Sequence, residues 1–178
     1  MRKLKLDELD RLDTDTFRKQ EKIPLVVVLD NIRSAMNVGS IFRTCDAFAV
    51  QKIYLCGITA TPPNREINKT AIGATETVMW EYADDILPLC QNLIGKKYKL
   101  IGVEQTTNSI PLSELKIEEG NAYVLVFGNE VEGVSESILP LLDKAVEIPQ
   151  YGTKHSLNVA VCGGIVVHQV SETMRKFY

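Results

Sequence analysis

The sequence predicts an α/β fold, a mostly parallel sheet with helices on both faces. Two observations carry that expectation. Apolar runs such as LVVVLD at residues 25–30 and AYVLVF at 122–127 are continuous rather than alternating, as strands covered on both sides require. Between these runs lie segments with apolar residues at helical spacing, and an alternation of strand and helix builds a parallel sheet. The 178 residues, 45% of them hydrophobic, are enough for one compact domain with a sizeable core.

Taken in order, residues 1–22 are charged with both signs mixed, and Leu4, Leu9 and Leu12 are their main apolar anchors. They read as an N-terminal charged arm or short helix preceding a domain of residues 23–178. The first strand covers 25–30. A helix follows over 38–50, with Val38, Ile41, Phe42, Cys45 and Phe48 on one stripe. The next strand is 52–58, followed by a Pro-Pro-Asn turn region reaching Asn68. A short segment (KTAIGA) leads into a strand at 77–82. A helix over 83–95 ends at Gly95, with Pro88 as the point where it would break. Strands at 98–104 and 122–130 flank a loop around 109–114. A short helix at 135–143, a last strand at 144–149 and a terminal helix from Ser156 complete the chain.

Net charge is −3, from 20 basic and 23 acidic residues. A nucleic-acid coating domain is clearly basic, so any RNA contact here must be local or assembled from two subunits. Cys45, Cys56, Cys90 and Cys162 show neither metal spacing nor a disulfide framework. Reduced thiols fit a cytoplasmic protein. No signal peptide and no membrane-spanning apolar run is expected.

In a parallel sheet, ligands sit at the carboxyl ends of the strands, and three constellations follow strands. In DNIRSAMNVGSIFR, Asn37 is expected to cap the helix and Gly39 to admit a close approach by backbone or ligand. At 100° per residue, Arg43 falls opposite the apolar stripe and faces solvent, ligand or another subunit. In FGNEVEGVS, Gly128 and Gly133 bracket Glu130 and Glu132 in a Gly-x-Glu-x-x-Gly turn. This is neither the Gly-x-Gly-x-x-Gly dinucleotide fingerprint nor a P-loop. In IPQYGTKHSLNVAVCGG, Ser156 is expected to cap the final helix, Asn158 projects from its first turn, and Lys154 and His155 are solvated. Leu157, Val161, Gly164 and Ile165 form one side of that helix, and Val159, Cys162, Val166 and Val170 much of the other. Two apolar sides imply burial twice over, the second time against another copy of the chain.

Together the three segments resemble the SpoU family of RNA ribose 2′-O-methyltransferases, within the SPOUT superfamily. The matching pattern is Asn37-x-Gly39-x-x-x-Arg43, then Gly128-x-Glu130-x-x-Gly133, then Ile148-Pro149-x-x-Gly152-x-x-x-Ser156-Leu157-Asn158-Val159. It covers roughly residues 24–175. The resemblance implies an α/β sheet whose C-terminal segment is threaded as a trefoil knot, against the general topology rule, and a homodimer. It implies S-adenosylmethionine as cofactor, held at Val103, Glu104, Gly128, Ile148, Ser156 and Leu157, with adenine recognised largely by backbone. It implies a catalytic group of Arg43, Asn37, Glu130, Ser156 and Asn158, and no metal. A guanidinium is normally always protonated, so for Arg43 phosphate anchoring or charge stabilisation is physically easier than base catalysis.

By the same resemblance the substrate is tRNA first and ribosomal RNA second. Lys3, Lys5, Arg11, Arg18 and Lys19 would contact phosphates if the arm lay over the site. Alternatives are a methyltransferase acting on a ring nitrogen of an RNA base, and a non-catalytic RNA-binding protein that retains the pocket.

Overall fold

The computed structural model describes residues 1–177. Tyr178, the last residue of the expected domain 23–178, lies outside the described residues. Seven strands form one sheet: β1 Ile23–Asp30, β2 Val50–Cys56, β3 Trp80–Ala83, β4 Tyr98–Val103, β5 Ile110–Pro111, β6 Ala122–Phe127 and β7 Lys144–Glu147. Their order is β3-β2-β1-β6-β4-β7-β5, and every pairing is parallel. The expected parallel sheet is therefore observed, with one addition. β5 lies in the stretch read as a loop, because two residues are too short to leave an alternation signal.

Among the described residues six α-helices accompany the sheet: α1 Thr14–Lys19, α2 Ala35–Ala47, α3 Arg65–Ala71, α4 Ala74–Thr77, α5 Ile86–Gly95 and α6 Val159–Met174. Successive strand side chains point to opposite faces, so the central strands feed two cores. Val27, Leu29, Leu125 and Phe127 meet Ile41 and Phe42 of α2 and Val166, Val167 and Val170 of α6. Val26, Val28, Val124 and Val126 meet Ile86, Cys90 and Leu93 of α5 and Ile138 of a 3-10 turn. The continuous apolar runs in β1 and β6 are thus explained by helices on both sides.

Several local expectations change. Ser34, not Asn37, caps α2, and its hydroxyl accepts from Asn37 N–H at 3.3 Å. Asn158, not Ser156, caps α6, accepting from Ala160 N–H at 2.9 Å and Val161 N–H at 3.3 Å. The side chain that reaches the free N–H groups of the first turn decides the cap. Pro88 does not break α5, because it lies in the first turn, where its missing N–H has no helical partner to lose. The turn region before Asn68 contains the start of α3, capped by Asn64, whose side chain accepts from Glu66 and Ile67 N–H. A helix this short buries only Ile67 and Ala71, too little pattern to read.

The arm departs further. Leu4, Leu9 and Leu12 are exposed rather than anchoring. α1 instead docks by Arg18 Nε donating to Glu76 O at 2.7 Å and by Lys22 Nζ donating to Phe17 O at 2.6 Å. Lys22 immediately precedes β1, so this end of the arm lies at the amino edge of the sheet, away from the carboxyl edge of its own chain.

A Cβ at Gly39 would overlap Thr70 Oγ1 and the Ile67 carbonyl; the close approach expected there is that of α3. Gly39→Ala should separate α2 from α3 and lower stability by about 1–3 kcal/mol, with a fall in Tm of about 2–4 °C per kcal/mol in a chain of this size, measured by calorimetry.

Candidate active site

The register of three strands makes the floor of a cavity of about 550 Å3 at the carboxyl edge. Val103 at the end of β4 pairs with Phe127 of β6 on one side and Val146 of β7 on the other. All three line the cavity. Its walls are the segments that continue from those strands, 103–105, 127–133 and 146–150, closed by 155–159 and Cys162. Every expected cofactor residue (Val103, Glu104, Gly128, Ile148, Ser156 and Leu157) lines it, as do Glu130 and Asn158.

The turn after β6 is built from backbone. Asn129 and Gly133 form an antiparallel bridge with both N–H to O distances at 2.9 Å. Gly133 has φ +73°, and a Cβ at Gly128 would collide with the backbone of Gly133 and Val134. Both glycines are therefore required by geometry: one by its left-handed backbone, the other by close approach. Glu104 braces the turn from below, its carboxylate accepting from Val134 N–H and Gln105 N–H, both at 2.9 Å. The sequence had marked Glu104 only as a cofactor contact. Asp30, fully buried at the end of β1, accepts from Ser135 N–H at 2.8 Å and holds the far side of the same turn. Its lone position at a strand end was the available signal.

A polar bridge joins the three motif segments. The Glu130 carboxylate accepts from Arg33 N–H at 2.9 Å, Ser34 N–H at 3.2 Å and Asn37 Nδ2 at 3.1 Å. Asn158 Nδ2 donates to Asn37 Oδ1 at 3.1 Å. Burial disfavours the ionised Glu130, but the donors from Arg33, its own backbone, Asn37 and Ser34 outweigh that cost and hold its pKa below the usual carboxylate value. Glu130 is thus an anion at neutral pH with its lone pairs committed, a structural clamp rather than an acid. Cys162, largely buried in the cavity wall, has its thiol pushed up to about 11, first by burial and then by Glu104, so it is no nucleophile at neutral pH.

Arg43 is not part of this group. It is exposed on the outward side of α2 and lines a separate hollow. One chain brings together Asn37, Glu130, Ser156 and Asn158 but leaves Arg43 outside.

The cavity lies in the size range of small-molecule sites. Among the described residues its lining carries Glu104, Glu130, Glu132 and Glu147 but no Lys or Arg, a balance that suits a cationic ligand. Among those residues no His, Cys, Asp and Glu cluster could hold a metal ion.

Comparison with known proteins identifies the family and the fold. Residues 24–168 match the model of the SpoU rRNA Methylase family. The chain belongs to the SpoU methylase family. A SpoU relative named tRNA (guanosine(18)-2′-O)-methyltransferase, from Aquifex aeolicus, is 31% identical over 87% of this chain and 72% of its own. The crystal structure of the A. aeolicus TrmH/SpoU tRNA modifying enzyme superposes with a TM-score of 0.79 at 27% identity, covering 92% of this chain and 81% of that one. An rRNA methyltransferase from Sinorhizobium meliloti, solved with AdoMet bound, has the same fold, with a TM-score of 0.78 at 23% identity over 89% of this chain and 59% of that one. As a SpoU methylase the chain is a methyltransferase, and its cofactor is S-adenosylmethionine. The acidic cavity fits that cofactor, whose sulfonium and ammonium groups are both cationic.

Two outcomes follow from the clamp and the turn. Gly128→Ala should push the 128–134 turn into the cavity and lower cofactor affinity at least about tenfold by calorimetric titration, since the overlap is with backbone that cannot rotate away. Because the Glu130 pKa is lowered on folding, its contribution is complete above the free-carboxylate value of about 4.3 and is lost as pH falls through the lower folded value. Wild-type thermal stability should therefore fall more steeply in that acid window than that of Glu130→Gln, which lacks the titrating group.

Proposed function

We propose that this chain transfers a methyl group from S-adenosylmethionine to a ribose 2′-hydroxyl of tRNA, and that it does so as a homodimer. The observation that carries the reading is the division of the motif residues. Glu130, Ser156 and Asn158 line the cavity of one chain and Asn37 is hydrogen-bonded to two of them, while Arg43 faces outward. A second copy supplies what the first lacks.

The proposed interface is the outward side of α6. Val161 and Ile165 are 54% and 41% exposed, and Leu157 before the helix is 38% exposed. Apolar side chains stacked on one helical face in this way suit a self-complementary contact. When bound, the sulfonium supplies an already activated methyl group. The chain's own work is then to position and to balance charge. Backbone at Gly128, Ile148 and Leu157 holds the adenine side, with Val103 and Glu104 at the floor. Glu130 fixes the Asn37 amide, and Asn37 fixes Asn158, so that these amides and the Ser156 hydroxyl are pre-oriented toward the acceptor ribose. Arg43 from the second copy anchors the adjacent phosphate and offsets the charge that develops on the 2′-oxygen. The C-terminal passage from β7 into α6 is proposed to be the knotted segment. A ribosomal RNA acceptor is the second reading, supported by the family's own description.

The deciding experiment uses labelled S-adenosylmethionine and RNA from cells lacking this protein, separated into tRNA and ribosomal RNA. Label is expected in tRNA as a 2′-O-methylated nucleoside, and Arg43→Ala should cut turnover about 100-fold or more, the usual loss on removing one charge-stabilising donor. Label on a base would sink the ribose reading, and label only in ribosomal RNA would move the substrate. The dimer has its own checks. Val161→Glu should sediment as a monomer. At sub-saturating cofactor, mixed Arg43→Ala and Gly128→Ala chains should turn over faster than either variant alone, because one of their two shared sites is intact.

A further inference from the structure

The hollow beside Arg43, about 520 Å3 on the outward side of α2 and α3, is chemically unlike the cofactor cavity. Two cations, Arg43 and Lys69, border it, and no Asp or Glu does among the described residues. Three hydroxyls also line it, and all have their protons committed. Ser40 Oγ donates to Met36 O at 2.9 Å, Thr44 Oγ1 to Ser40 O at 3.2 Å, and Thr70 Oγ1 to Met36 O at 2.9 Å. Toward the hollow these oxygens can only accept. The lip is Ile72, 67% exposed and held at φ 49°, ψ 49°, a left-handed backbone that a β-branched residue rarely adopts. Strain of this kind concentrates at functional positions.

A bare phosphate would use the cations and leave the acceptors idle. A nucleotide uses all three features: phosphate oxygens for Arg43 and Lys69, sugar and base donors for the hydroxyl oxygens, and an apolar base face for Ile72. We propose that this hollow seats the nucleotide of the RNA strand that flanks the methylated ribose, with Lys69 and Ile72 as binding residues alongside Arg43. The assignment rests on the reading of the chain as an RNA 2′-O-methyltransferase, since Arg43 is common to the hollow and to the proposed reaction. It places substrate selection on α3, which none of the three motifs includes.

The test uses the full chain and unmodified tRNA, measuring binding at several salt concentrations, cofactor affinity and Tm. Lys69→Ala should weaken tRNA binding about 5- to 10-fold and reduce the salt slope by about one, while cofactor affinity stays unchanged. Lys69→Arg should restore both. Ile72→Asn removes the β-branched strain, so it should hold or raise Tm while weakening tRNA binding several-fold; a residue with only a structural role would not separate the two. Unchanged tRNA affinity and salt slope in Lys69→Ala would overturn the assignment, as would an equal loss of cofactor binding. The two failures are distinguishable. Wild-type chain that binds tRNA without methylating any RNA defeats the functional reading and leaves the binding test of the hollow standing. Active wild-type chain with a neutral Lys69→Ala defeats this inference alone.

Discussion

The hydrogen-bonded clamp at Glu130 is the constraint on which the rest of the candidate site depends. Its carboxylate, in the turn after β6, gathers the N–H groups of Arg33 and Ser34 and the amide of Asn37, at the start of α2. Asn37 in turn receives Asn158, 121 residues away in sequence, at the start of α6. The entry to a helix, with its positive dipole end, favours an anion, and here the anion is the protein's own. The turn, the helix start and the C-terminal segment are therefore held in one arrangement before any ligand binds. Such pre-orientation lets positioning carry much of a methyl transfer.

Around that clamp, backbone geometry matters more than side-chain chemistry. Gly128 and Gly133 allow a turn folded tightly on itself, and Glu104 and Asp30 brace it from either side by accepting its N–H groups. The carboxylates of this region accordingly have two different tasks. Those bonded to backbone hold shape, while Glu132 and Glu147 leave the cavity with a negative lining. A cationic cofactor and a polyanionic substrate need opposite fields, and the molecule separates them. The acidic cavity lies at the strand ends, and the basic hollow lies on the outward side of α2 and α3. That separation also accounts for a chain of net charge −3 acting on RNA: the positive charge is placed locally rather than spread over the surface.

The separation has a structural consequence. With Arg43 outside the cavity of its own chain and an apolar strip left on α6, a single copy is an unfinished site on the proposed reading. A dimer that covers Val161 and Ile165 would finish it, coupling assembly to activity through one helix pair.

Much of this was legible in the sequence because it rests on short-range rules. Continuous apolar runs marked the strands, helical spacing marked α2 and α6, and the glycine turn at 128–133 announced its own geometry. All six expected cofactor positions line one cavity, four of them because parallel strands put their carboxyl ends on one edge. What sequence spacing left undecided was which of several eligible side chains would be used. Asn37 and Ser156 each had a cap's chemistry, but Ser34 and Asn158 reached the free N–H groups, and Asn37 was drawn to Glu130 instead. α3 and β5 were too short to carry a pattern, and α1 found its place through Arg18 and Lys22 rather than through its leucines. The position of Arg43 was the largest such matter. Its helical face was readable from 100° per residue, but its distance from the cavity was set by packing between elements far apart in the chain. Local periodicity determined the elements; long-range hydrogen bonds and sheet register decided which residues meet.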